Sequence, residues 1–167
     1  QAAAESGVAT RPIADLDAYR QGLARFVYQT GMVMRPVFAA AKARCARVVY
    51  AEGEDERVLR AVQVVLDDGL AKPILVGRPE VVRMRSERAG LRLQAGRDFE
   101  LVDPENDPRF RSYWELYHQL MGRDGVTPDA AKAAVRRSNT LISALMLRRG
   151  EADAMLSGLT RKYADPV

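Results

Sequence analysis

The feature that most constrains the fold of this chain is the alternation of short apolar runs with longer segments of helical periodicity. Parallel strands need a crossover of a dozen or more residues, usually a helix, to return to the same sheet edge. Apolar runs without polar alternation are typical of strands covered on both faces. The sequence therefore predicts an α/β fold, a parallel sheet with helices on both faces. The predicted strands are residues 48–50, 74–76, 101–102 and 155–156.

Helix signals fill the intervals between these strands. Thr127 followed by Pro128 indicates a helix start, because threonine caps free N–H groups and proline fits the first helical position. Residues 15–44 also show helical spacing, with interruptions expected at Gly31 and Pro36. Four aromatic residues share one face of a predicted helix over residues 108–121, and we expect them to pack in the core. They are Phe110, Tyr113, Trp114 and Tyr117.

Length and composition favour one domain of a soluble protein. The 167 residues are 47% hydrophobic and 29% charged, with a mean hydropathy of -0.25. No run approaches the roughly 18 apolar residues that span a membrane, and the first residues lack a basic segment followed by an apolar block. We therefore expect a cytoplasmic protein with no membrane partner. One cysteine, Cys45, and one histidine, His118, exclude a disulfide framework and a zinc site built from these residue types, so no metal site is expected.

The charge balance is only mildly basic, with 26 basic and 22 acidic residues and a net charge of +4. The densest basic stretch has six arginines within residues 78–97 and no aromatic residue on which a base would stack. A solvated helix face is the favoured interpretation, and no nucleic-acid partner is expected. An RNA-binding module remains the alternative that this stretch leaves open.

Acidic residues crowd the turn between the first predicted strand and the following helix. Acids in a first helical turn complement the helix dipole and cap its N–H groups, and we favour this interpretation because Arg57 and Arg60 can neutralise them. A magnesium site or a polar clasp is the alternative, since open α/β sheets bind ligands at this edge. The residues are Glu52, Glu54, Asp55 and Glu56.

A second candidate site follows the last predicted strand. An anion site needs backbone N–H donors, a hydroxyl and a positive charge, and small, hydroxylic and cationic residues supply these just after a parallel strand. An ordinary loop is the alternative. The candidate ligand-binding residues are Ser157, Gly158, Thr160, Arg161 and Lys162.

Four segments of the chain resemble a known family, two of them phosphotransacetylases in general and two of them hybrid malic enzymes. YAEGEDERVLRAVQVVLDDGLAKPILVGRP resembles the opening strand, helix and strand of phosphotransacetylases, and RSNTLISALMLRRGEADAMLSG is similar to their later helix and strand. The segments ESGVATRPI and ELVDPENDPRFRSYWELYHQLMGRDGVTP resemble the C-terminal portion of the large hybrid NADP-dependent malic enzymes of bacteria. In that family a malic enzyme half is fused to a phosphotransacetylase-like half.

The resemblance implies a phosphotransacetylase-like subdomain, which is the isocitrate/isopropylmalate dehydrogenase-like fold. It implies that residues 1–14 form the junction from a preceding malic enzyme domain, and residues 15–167 the first part of the phosphotransacetylase-like domain. Active transferases carry an arginine where Met121 stands, and of their His-Thr-Thr-Ala-Asp run only Ala164 and Asp165 are kept. Asp165 thereby joins the candidate ligand-binding residues. No catalytic residue is expected in this segment.

The function implied by the resemblance is regulation and homo-oligomerisation, with acetyl-CoA as the effector and the malic enzyme domain of the same polypeptide as a partner. The parent reaction would be the NADP-dependent oxidative decarboxylation of malate to pyruvate with Mg²⁺ or Mn²⁺. No cofactor is expected within this segment itself. The alternative is a fragment of an active phosphate acetyltransferase.

Overall fold

The computed structural model describes Asp15, Tyr19 and residues 31–160, and for residues 31–33 the backbone alone. Contacts divide the chain into two compact units, Gln1–Ala40 and Ala41–Val167. Among the described residues, helix α1 is Gly31–Arg44 and contains Pro36. The expected break at Pro36 is therefore wrong, because the alanine-rich sequence that follows has a high helix propensity and continues the helix. The predicted junction over residues 1–14 lies outside the described residues.

The second unit alternates strands and helices in the predicted order. Its sheet runs in the order β3-β2-β1-β4, and every pair of neighbours is parallel. The predicted parallel sheet is therefore confirmed, with its carboxyl ends along one edge. The elements are β1 (Ala46–Tyr50), α2 (Glu56–Asp67), β2 (Ala71–Val76), α3 (Pro79–Arg88), β3 (Glu100–Val102), α4 (Phe110–Met121), a 3₁₀ turn (Gly122–Asp124), α5 (Pro128–Arg137), α6 (Asn139–Arg148) and β4 (Ala154–Leu156).

Helices cover both faces of this sheet because successive strand residues point to opposite sides. Val49 packs on one side with α4, α5 and α6, whereas Tyr50 packs on the other with α2 and α3. Tyr113 of α4 is only 1% exposed, and the other three aromatic residues of the helix pack against the same cluster. The expected core role of the aromatic face is confirmed.

The turn after β1 approaches the neighbouring strand closely. The Gly53 N–H donates to the Val76 carbonyl oxygen at 3.1 Å. A Cβ atom at Gly53 would lie 2.9 Å from that same oxygen and from the Leu75 Cβ. Glycine is therefore required here, and the close approach sets the positions of Glu52 and Glu54 on either side of it.

The predicted start of α5 is also confirmed, because the Ala130 N–H donates to Thr127 Oγ1 at 3.2 Å. Within the part of the chain that the structure describes, no helix is long and apolar enough to cross a membrane.

Candidate ligand cleft at the carboxyl edge of the sheet

The loops that follow all four strands meet at the carboxyl edge of the sheet and line a cleft of about 400 Å³. The C-terminal end of α5 and the N-terminal end of α6 complete its wall. This is the edge at which open α/β sheets bind ligands. The lining residues are Glu52, Glu54, Asp55, Arg78, Arg85, Pro104, Glu105, Arg136, Asn139 and Thr160.

Glu52 binds the loop that follows β4. Its carboxylate accepts the Leu159 N–H at 3.0 Å and, from Thr160, both the N–H and the hydroxyl at 2.8 Å. Burial would raise the pKa of Glu52, but hydrogen bonds from Thr160, Leu159 and Gly158 together hold this pKa below its ordinary value. The N–H and hydroxyl groups that could have bound an external anion therefore bind the Glu52 carboxylate instead. Of the alternatives given for the acidic turn, Glu52 thus fits the polar clasp.

The structure describes only some of the other candidate residues of this loop. Ser157 Oγ lies 3.0 Å from Thr140 Oγ1, which ties the loop to the first turn of α6. Gly158 has a φ of +114°, a conformation that side-chain-bearing residues rarely adopt. The remaining candidates, Arg161, Lys162 and Asp165, lie outside the described residues. The ligand-binding role of this set stays a prediction.

Glu54 neutralises the first cation of the cleft. Its carboxylate accepts the Arg78 N–H at 3.0 Å and the guanidinium Nε and Nη2 at 2.9 Å each. These contacts, chiefly the side-chain hydrogen bond, lower the pKa of Glu54 despite its partial burial. The Asp55 side chain caps α2 by accepting the Arg57 N–H at 2.9 Å, so the capping interpretation holds for this residue. Among the described residues no group of three acidic, histidine or cysteine side chains is arranged to hold a metal.

Two further guanidinium groups, those of Arg85 and Arg136, face the cleft. Arg85 donates to the Glu54 carbonyl oxygen, and its charge helps to lower the pKa of the Glu54 carboxyl group. The Arg136 guanidinium lies 4.4 Å from the centre of the Phe110 ring and forms no ion pair with a described residue. Arg136 therefore keeps its charge for an anionic ligand. Sequence analysis missed Arg136 as a cleft residue, because its place at the end of α5 beside the strand ends is visible only in three dimensions.

The Glu52 clasp predicts acid-induced release of the loop after β4. A carboxyl group whose folded pKa is lowered contributes stability that is present above its unfolded pKa and is lost as pH falls through the folded value. We therefore expect the protection of the Leu159 and Thr160 amides against hydrogen exchange, measured relative to their intrinsic rates at each pH, to fall below pH 4.5, the ordinary glutamate pKa. Glu52→Gln is expected to lower this protection at neutral pH as well, because the charge-assisted bonds are lost.

The matched control is Glu56→Gln, which removes a carboxylate from the same turn but from an exposed pair with Arg60. It should leave exchange at Leu159 and Thr160 unchanged. Slow exchange at these two amides in Glu52→Gln would show that the clasp does not hold the loop.

The parallel sheet, the helices on both faces and the cleft at the strand ends define an open α/β domain with a ligand cleft. The family model for phosphate acetyl/butaryl transferase matches residues 32–167, and the chain belongs to this family. The phosphotransacetylase of Streptococcus pyogenes shares the fold, with a TM-score of 0.66 and 28% identity over 79% of this chain and 40% of that structure.

Two malic enzymes are more similar to this chain than that phosphotransacetylase is. It is 57% identical to the NAD-dependent malic enzyme of Rhizobium meliloti over 98% of this chain and 21% of the relative. It is 52% identical to the NADP-dependent malic enzyme of Salmonella typhimurium over 98% of this chain and 22% of the relative. The chain thus spans about a fifth of the length of these proteins, and the resemblance to hybrid malic enzymes is confirmed.

Met121, where active transferases are expected to carry an arginine, is the last residue of α4. The first residue of that helix, Phe110, contacts the cleft residue Arg136. Twelve helical residues place the two ends about 16 Å apart along the axis. Among the described residues, Met121 is not part of the cleft wall.

Proposed function

We propose that this chain is the first part of a phosphotransacetylase-like domain that regulates and assembles a bacterial malic enzyme, with acetyl-CoA as the effector. The observation that carries the proposal is the reach of the similarity: malic enzymes match 98–99% of the chain at 30–57% identity, whereas phosphate acetyltransferases match 76–80% of it at 28–29%. A match across nearly the whole chain supports a malic enzyme parent rather than a separate transferase.

The chemistry of the cleft supports a binding role. An acetyl-transfer site needs hydrogen-bond donors and cations directed at the reacting groups. Here the donors of the Thr160 loop bind Glu52, and Arg78 binds Glu54. Arg136 still offers a guanidinium group, which suits the phosphates of an acyl-CoA. The cleft is therefore better suited to binding an anionic effector than to catalysing acetyl transfer.

In this proposal the oxidative decarboxylation of malate to pyruvate, its NADP and its Mg²⁺ or Mn²⁺ belong to the malic enzyme domain of the same polypeptide. The present domain contacts that domain and a second copy of itself in a homo-oligomer. The relatives differ in the coenzyme that their names give, NAD for one and NADP for another. Malate oxidation by the full-length protein should therefore be measured with both coenzymes.

The proposal predicts that Arg136→Ala weakens the response to acetyl-CoA. Loss of one charge-assisted contact to phosphate is worth about 1.5–3 kcal/mol, a factor of ten or more in affinity. We expect the acetyl-CoA concentration for half-maximal inhibition of malate oxidation by the full-length protein to rise at least tenfold. Arg111→Ala is the control, because Arg111 is an exposed arginine paired with Glu115 on α4 and should give the unaltered inhibition curve.

An unchanged inhibition curve for Arg136→Ala would contradict the placement of the effector in this cleft. Formation of acetyl-CoA from acetyl phosphate and CoA above a blank, by the full-length protein, would favour the alternative of an active phosphate acetyltransferase. Salt-sensitive binding to polyuridine would favour the RNA-binding alternative.

A further inference from the structure

The loop after β4 forms an anion site whose occupant is a side chain of the same protein. Two consecutive amide N–H groups, those of Leu159 and Thr160, and the Thr160 hydroxyl converge on the Glu52 carboxylate. Successive N–H groups directed at one point form an anion-binding concavity, a nest. We call these three donors the β4 nest. The Glu52 carboxylate occupies the position that an external carboxylate or phosphate would take.

Both oxygens of the carboxylate are used in the β4 nest. Oε2 accepts the Leu159 N–H at 3.0 Å, and Oε1 accepts the N–H and the hydroxyl of Thr160 at 2.8 Å each. Glu52 accepts no hydrogen bond from an arginine among the described residues, in contrast to Glu54, which binds Arg78 through both oxygens. The donors that stabilise the Glu52 charge are therefore groups that a phosphate oxygen could use equally well.

The contact between Glu52 and the β4 nest is accessible to a ligand. Leu159 is 45% exposed, and both Glu52 and Thr160 line the cleft at the strand ends. Arg136 lines the same cleft and has no carboxylate partner among the described residues. A ligand with phosphate groups can pair with Arg136, but it meets the β4 nest already filled by an anion of the chain.

We propose that Glu52 is an internal competitor of the effector, and that a phosphate group displaces its carboxylate from the β4 nest on binding. This inference rests on the effector cleft proposed above. A ligand shifts the loop to the phosphate-bound state only by the difference between its own contacts and those of Glu52, so the clasp lowers the affinity for phosphate. Displacement makes and breaks hydrogen bonds only.

The proposal predicts that removal of the carboxylate strengthens binding, whereas removal of a side chain that supports the site would weaken it. Glu52→Gln keeps the size of the side chain but puts an NH₂ group, which cannot accept, in place of one oxygen. We expect Glu52→Gln in the full-length protein to bind inorganic phosphate about tenfold more tightly than the unaltered protein, because the charge-assisted contacts of the competitor are lost. Isothermal titration calorimetry in a phosphate-free buffer measures both affinities.

Hydrogen exchange locates the bound phosphate. The Leu159 and Thr160 amides, which lose protection in Glu52→Gln, should regain it at saturating phosphate, because the phosphate oxygens then accept these N–H groups. The unaltered protein should show little change in the protection of the same amides, since they pass from one acceptor to another.

Glu105→Gln is the matched control for charge. Glu105 lines the same cleft and its substitution removes the same charge, but Glu105 is not an acceptor of the β4 nest. We expect it to strengthen phosphate binding only about twofold, the general effect of one negative charge fewer near an anion in water. Glu52→Asp is a second test of the nest, because it keeps the charge and withdraws the carboxylate by one methylene group. It should strengthen phosphate binding about threefold, since part of the clasp is lost.

Three results would overturn the proposal. They are a gain in phosphate affinity in Glu52→Gln no larger than that in Glu105→Gln, weaker phosphate binding in either Glu52 variant, and Leu159 and Thr160 amides that phosphate leaves unprotected in Glu52→Gln. Acetyl-CoA is absent from all of these measurements. An unchanged inhibition curve for Arg136→Ala would therefore contradict the effector site, whereas unchanged phosphate binding in the Glu52 variants would contradict the displacement alone.

Discussion

Gly53→Ala is expected to destabilise the pairing of β1 and β2 by about 2–3 kcal/mol, the upper part of the range for a side chain forced into a filled space. The added Cβ would lie 2.9 Å from the Val76 carbonyl oxygen and 3.1 Å from the Val76 nitrogen. These are backbone atoms of a central strand and cannot rotate away. The turn must shift, which lengthens the 3.1 Å hydrogen bond from the Gly53 N–H to Val76. Native-state hydrogen exchange of the β1 and β2 amides measures the loss.

Gly77→Ala is the matched control, since Gly77 occupies the equivalent turn after β2. Its added Cβ would meet side-chain atoms, the Glu54 Cγ at 2.9 Å and a Val82 methyl group at 3.3 Å. Side chains adjust more cheaply than a strand backbone, so we expect a smaller effect of about 1 kcal/mol. Equal exchange rates in the two variants would show that the backbone contact at Gly53 is not the cause.

Glu151→Ala is expected to cost about 2–4 kcal/mol, because it removes the shared partner of three groups. Glu151 accepts the Tyr113 hydroxyl at 2.6 Å and pairs with Arg149 at 2.6 Å and Arg109 at 3.4 Å. Burial, followed by the hydrogen bond to Glu151, raises the pKa of Tyr113, so the phenol is a donor at every physiological pH. Without Glu151 this buried hydroxyl has lost its acceptor.

Tyr113→Phe removes the same hydrogen bond but leaves Glu151 with its two arginines, so the expected loss is smaller, about 1–2 kcal/mol. Glu115→Ala is the surface control, because the ion pair of Glu115 among the described residues is with the exposed Arg111 of the same helix, and little change is expected. Hydrogen exchange of the α4 and α6 amides compares the three variants. A Glu151→Ala effect no larger than that of Glu115→Ala would contradict the shared-partner role.

The strands were predictable because their signal is local. Residues 48–50 and 74–76 are continuous apolar runs followed by turn residues, and no distant contact is needed to recognise them. The cap at Thr127 is local in the same sense, since the threonine and the amide that it accepts are three residues apart. Pro36 is the exception, because the favourable sequence around it outweighs the penalty of a single proline.

The candidate loop after β4 shows where local reasoning ends. Thr160 was recognised as a donor, and Glu52 as an acid beside a strand end, yet nothing in the sequence joins two residues that are 108 positions apart. Parallel pairing of β1 with β4 brings the two loops to one edge of the sheet. The contact therefore follows from the strand order.

The sequence by itself determined the elements of this domain, the two-sided burial of its sheet and its resemblance to the phosphotransacetylase half of malic enzymes. These depend on patterns within ten or twenty residues. The tertiary structure alone decided the partner of each charge: the Thr160 loop hydrogen-bonds the Glu52 carboxylate, Glu54 pairs with Arg78, and Arg136 is left facing the cleft. The physical reason is that the energy of a charge depends on its neighbours in space, and a parallel sheet takes those neighbours from distant segments of the chain.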